Sequence, residues 1–96
     1  MAIIFANRYT MKAEPEHLPN RVLKQKEVSF RTPAGNSDPV YLAGTEVDCS
    51  DATKRFALPA ESTLIVKLEN LRELWIFGTA GDFLDAICEV EGIAQE

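Results

Sequence analysis

Thr63-Leu-Ile-Val-Lys-Leu-Glu69 sets Leu64, Val66 and Leu68 on one side and Ile65, Lys67 and Glu69 on the other. A period of two is the pattern of a strand with one face buried. Leu74-Trp-Ile-Phe77 follows after the compact connection Asn70-Leu-Arg-Glu73. It is apolar on both faces and rich in β-forming residues, which predicts a central strand covered on both sides. Gly78-Thr-Ala-Gly-Asp82 then makes a turn. Phe83 to Val90 reads two ways. Asp82 and Asp85 can open a helix bearing Phe83, Ile87 and Val90, whereas Leu84, Ala86, Cys88 and Val90 alternate as a strand; the strand is our reading.

Upstream, Val22 to Phe30 reads as a strand with a wet face carrying Lys24 and Lys26. Pro33-Ala-Gly-Asn-Ser-Asp-Pro39 is a loop, and Val40-Tyr-Leu-Ala43 a strand ended by Gly44. Thr45-Glu-Val-Asp-Cys49 is expected to return as another short strand, with Ser50-Asp51 as its turn. Short strands at this spacing predict an all-β chain, a small antiparallel β-sandwich or partly closed barrel. Residues 22–96 form that domain, and residues 1–21 are expected as an irregular N-terminal arm. Between Arg8 and Asn20 there are two prolines and only scattered apolar residues, so no periodicity is sustained. Ile3, Ile4 and Phe5 are too apolar to sit freely in water. They either add to a sheet edge or a neighbour, or form an ordinary first strand of the same sheet.

Ninety-six residues suffice for one modest core, with roughly 5,500 Å² of surface left exposed after folding. The net charge of −5 disfavours a nucleic-acid binder, and no run of residues is long and apolar enough to predict a membrane span. The charge is uneven. Residues 1–31 hold six cations against three acids, and residues 32–96 hold four against twelve. The start of the chain lacks the pattern of a secretory signal, so a cytoplasmic origin with Cys49 and Cys88 as reduced, buried thiols is expected.

Conventional site chemistry is sparse. His17 is the one histidine, which disfavours a Ser-His-Asp or Cys-His site and leaves no multi-His metal set within the chain. Gly78 to Asp82 lacks the Lys and hydroxyl of a phosphate loop. Asp38, Asp48 and Asp51 lack EF-hand spacing, and the pairs Glu69/Glu73 and Glu89/Glu91 read as solvated acids. No catalytic, metal or cofactor-binding residue is assigned, no cofactor is expected, and the chain is expected not to be an enzyme. Tyr41, Trp75 and Phe77 raise a carbohydrate- or host-surface-binding alternative, which competes with core packing for Trp75.

Val40-Tyr-Leu-Ala-Gly44, Val47, Phe56-Ala-Leu-Pro-Ala60, Leu64 to Leu71 and Glu73 to Asp82 together resemble the small virion structural proteins of tailed bacteriophages. The shared pattern is strand-Gly-strand, a Leu-Pro corner, an alternating strand ending in Asn-Leu, and an aromatic strand ending in a Gly-rich turn. The resemblance implies a β-sandwich in a symmetric particle: a capsid decoration protein bound to the major capsid protein, or a head–tail or baseplate protein. Its partners would be other virion proteins and sister subunits, its place the virion, and its origin the host bacterial cytoplasm. The arm lies outside that shared pattern; from its own apolar start and basic charge, Ile3, Ile4 and Phe5 are expected to add to an adjacent sheet edge. Arg8, Lys12 and Arg21 are expected to face acidic surface on the capsid or a sister subunit.

Overall fold

The computed structural model describes residues 2–91, with eight strands in two four-stranded antiparallel sheets that do not close into a barrel. The strands are β1 (Ala2–Thr10), β2 (Glu16–His17), β3 (Leu23–Arg31), β4 (Val40–Ala43), β5 (Phe56–Leu58), β6 (Thr63–Lys67), β7 (Trp75–Phe77) and β8 (Phe83–Glu91). The first sheet has the order β1-β8-β3-β6 and the second β2-β7-β4-β5. Alternation decides what lies between them. Val28 and Phe30 of β3 and Leu84, Ala86, Cys88 and Val90 of β8 face Val40, Leu42, Leu58 and Ile76 of the second sheet. Each fully buried side chain of this kind stabilises by about 1.5–3 kcal/mol. The surface left exposed is 5664 Å².

Phe83–Glu91 is a strand, central in its sheet between β1 and β3. Strand β7 is likewise central, with Ile76 inward and Trp75 and Phe77 on the outer face. Trp75 is therefore half-buried outside the main core rather than within it.

Two local expectations need correction. Residues 45–49 are not a strand: Glu46–Cys49 is a single helical turn, α1. Its cap is Thr45, whose Oγ1 accepts the Asp48 N–H at 3.1 Å, and this local bond wins over ladder pairing. The start of the expected arm is not irregular, since Ala2–Thr10 pairs along its whole length with β8, from Ala2 opposite Glu91 to Thr10 opposite Phe83. Ile3, Phe5 and Tyr9 pack against the core, and that burial outweighs the weak polar patterning around Arg8. The strand expected over Val22 to Phe30 is present as β3, with an interrupted ladder. Leu23 pairs with Val90 and Val28 with Cys88, so three surplus residues bulge at Lys26, whose φ is 57°.

The connections are tied by side chains. Asn36 accepts the Phe83 N–H and donates to the Phe83 carbonyl, both at 2.8 Å, so its amide acts as one more rung of ladder beside β8. Asp82, buried, accepts from the Ser37 N–H, the Ser37 hydroxyl and the Asp38 N–H. These bonds hold its carboxyl below the usual carboxylate range, the Ser37 N–H first. Gly78 is needed for close approach, because a Cβ there would stand 2.9 Å from Met11 Cγ.

Candidate functional site

The outer face of the first sheet carries the most distinctive surface. Outward positions on neighbouring strands align in cross-strand rows: Ala6, Ile87, Ser29 and Ile65 in one, Arg8, Asp85, Arg31 and Thr63 in the next. Ile4 is 70% exposed, Ile65 60% and Ile87 52%. A soluble surface rarely gathers large aliphatic side chains on one sheet face without a use for them. Ile65 and Ile87 border a shallow groove of about 620 Å³ that also takes in Arg31 and Asp85.

The charged row is organised by Asp85. Arg8 donates to it through Nε at 2.6 Å and Nη2 at 2.9 Å, and Arg31 through Nη2 at 3.2 Å. The Arg8 hydrogen bonds, then those of Arg31, hold the Asp85 carboxyl below its ordinary range. Two guanidiniums share one carboxylate, so the row keeps a surplus positive charge beside the isoleucines. The Arg8 guanidinium also lies 4.8 Å from the centre of the Phe83 ring.

The second sheet carries a different surface on its own outer face. Tyr41 and Phe77 lie 5.8 Å apart and are tilted by 30°. Arg55 stacks over Tyr41 at 3.7 Å and reaches Phe77 at 5.2 Å, while its Nη1 donates to the Cys49 carbonyl. The arginine covers one face of the Tyr41 ring. Trp75 meets His17 edge-on at 5.2 Å. Burial pushes the Cys49 and Cys88 thiols up, which disfavours thiolate chemistry at both.

The residues expected to bind partners are dispersed. Ile3 and Phe5 point toward the core and Ile4 points out. Arg8 is engaged by Asp85 of its own chain, Lys12 stands 3.8 Å from Glu16, and the Arg21 guanidinium lies 4.8 Å from the Phe5 ring centre. Of that set, Ile4 and Arg8 share the outer face of the first sheet. Sequence reasoning missed Ile65, Ile87, Arg31 and Asp85 as its other members. Ile65 was legible as the wet side of its strand, but the cross-strand rows that join it to the others depend on register. Among the described residues no group of three or more His, Cys, Asp or Glu is placed to hold a metal ion.

Fold and surface together define a small two-sheet antiparallel sandwich with an apolar, arginine-bordered outer face. No family model matches the chain, and no curated protein matches it. The fold is shared with a solved structure from Bacillus, described as endospore appendages that form a novel family of disulfide-linked pili. The TM-score is 0.56 and the identity 14%, over 94% of this chain and 83% of that one.

Proposed function

We propose that this chain is a non-enzymatic structural subunit of a large symmetric assembly, and in finer terms a tailed-bacteriophage virion protein of the capsid decoration type. The observation that carries the reading is the outward isoleucine set Ile4, Ile65 and Ile87 beside the Arg8–Asp85–Arg31 row. Such a face suits burial against another subunit, with the arginines fixing orientation at the rim. The resemblance over residues 40–90 supports the virion as the place. The likeness to a pilus subunit supports the coarser idea that a sandwich of this shape serves as a building block, and an appendage subunit is the second reading.

The covalent linkage in that neighbour's description does not carry over easily. Cys49 is 0% exposed and Cys88 7%, so neither thiol reaches another subunit without local opening. The test is to purify particles from the native context and quantify this chain against the major shell protein by mass spectrometry. Hundreds of copies per particle support decoration, and a few to a few dozen favour a head–tail or baseplate position. Absence from particles together with recovery in sheared surface fibres favours the appendage, and absence from both removes the structural reading.

A further inference from the structure

We propose that two copies of this chain join edge to edge through β1, antiparallel about a two-fold axis at Ala6, so that their first sheets become one continuous sheet. The inference rests on the structural-subunit reading above and names the partner and the surface it uses. Among the described residues the two sheets end in the edge strands β1, β6, β2 and β5. Strand β2 has two residues, β5 three and β6 five, and edges so short offer little backbone to a neighbour. Strand β1 has nine, and it pairs one for one with β8 without a bulge. It contains no proline, and its one charged residue, Arg8, is turned onto Asp85 of its own chain. The usual guards against edge pairing are thus missing from β1.

The direction of its backbone groups restricts the register. The Met11 N–H donates to the Asp82 carbonyl at 2.7 Å, in line with the β1–β8 ladder. Alternation along an antiparallel strand then turns the N–H and C=O groups of Ile3, Phe5, Asn7 and Tyr9 toward β8 and leaves those of Ile4, Ala6, Arg8 and Thr10 on the open edge. With Ala6 facing Ala6 of the second copy, Ile4 faces Arg8 and Ala2 faces Thr10, and each of these pairs can exchange two backbone hydrogen bonds. Between them Ile3 faces Tyr9 and Phe5 faces Asn7, in the positions where cross-strand side chains come closest. Ile3, Phe5 and Tyr9 are only partly buried in the single chain, so the second copy covers the flank of the core that they leave open. A second copy also fits β1 better than the other edges do. It matches β1 in length, which no other described edge strand does, and it brings its own Arg8 no nearer than four residues along the strand, about 13 Å and beyond the screening length. Parallel pairing would set Arg8 beside Arg8. Such a contact is isologous, and it keeps both outer faces on one side, so that the isoleucine set of one copy continues into that of the other.

A single strand edge buries less than the roughly 800 Å² per partner of a standard interface, so a Kd of about 10–100 μM is expected. Sedimentation velocity of the full-length chain, from micromolar to about 1 mM, measures it. Ala6→Pro removes an N–H that points away from β8, at a position where an edge strand tolerates proline. It is expected to weaken dimerisation about tenfold or more while keeping a cooperative melting transition. Ile65→Asp, on the far edge strand of the same sheet, is expected to leave the Kd unchanged. Ala6→Asp and Ala6→Lys are each expected to stay monomeric, because like charges meet on the axis, and their 1:1 mixture to recover a dimer. That mixture decides the matter where Ala6→Pro does not fold. A wild-type chain still monomeric at about 1 mM overturns the proposal. So does a folded Ala6→Pro variant that dimerises as the wild type does, or a mixture that recovers no dimer. Loss of the dimer in Ile65→Asp with its retention in Ala6→Pro would put the contact on the isoleucine face and overturn it too. Dimerisation in solution with absence from particles and fibres would remove the structural-subunit reading and leave the edge contact standing. Presence in particles with a monomeric free chain would do the opposite.

Discussion

Glu61 sits in the left-handed region at φ 59°, between β5 and β6, where its N–H donates to the Thr32 carbonyl at 3.0 Å. An L-residue there costs about 1–2 kcal/mol, against about 0.5–1 kcal/mol of extra chain entropy for glycine. Glu61→Gly is therefore expected to stabilise the protein by about 0.5–1 kcal/mol, read as a melting temperature a few degrees higher; an unchanged or lower value would mean that the turn carries no such strain. Asp85 gives a second prediction, with its sign set by the direction of its shift. Its folded pKa lies below the ordinary value near 3.9, so its contribution is complete above that value and is lost as pH falls through the folded pKa. In urea titrations, wild type should exceed Asp85→Asn in stability at neutral pH, and the two should converge in acid. A gap that persisted there would place the effect in packing rather than in the carboxylate charge.

At the scale of elements, what the sequence revealed depended on whether each pattern was local. The two alternations, Leu64/Val66/Leu68 and Leu84/Ala86/Cys88/Val90, are internal to their strands and so were readable. Strand β1 was not fully readable, because the burial of Tyr9 and the engagement of Arg8 depend on β8, some 75 residues away. The α1 turn had a local signal in Thr45-Glu-Val-Asp48, a threonine with an acid three residues on, which the strand reading passed over. The isoleucine face was the least legible feature, since three residues on three strands meet only through register. Strand β1 carries a prediction of its own. Removing residues 1–10 strips β8 of one ladder and uncovers the core beneath Ile3, Phe5 and Tyr9. The truncated chain is expected to lose its cooperative thermal transition and to aggregate through the freed β8 edge. Retention of the wild-type transition would show that β1 behaves as a detachable arm.

For the whole molecule, the deciding feature is that the first strand pairs with the last. Strand β8 is central in its sheet, so β1 has no neighbour, and β3 has only β6, until residues 83–91 have been made. Pairings of such large sequence separation close long loops before they are rewarded, and folding on the millisecond-to-second scale is expected for this class of topology. The same pairing sets Ala2 opposite Glu91. A circular permutant joined through residues 92–96 and a short glycine-serine linker, and opened at the exposed Thr53–Lys54 position, turns the β1–β8 pair into a local hairpin. It should retain the sandwich, because the strand order and the core are unchanged by where the chain is cut. Its refolding rate, followed by the fluorescence of Trp75, is expected to exceed that of the natural order, since the most distant pairing has become one of the nearest. A permutant equally stable but no faster would show that β1 docks onto β8 only after the rate-limiting step, and that β3, β6 and β8 form the nucleus without it.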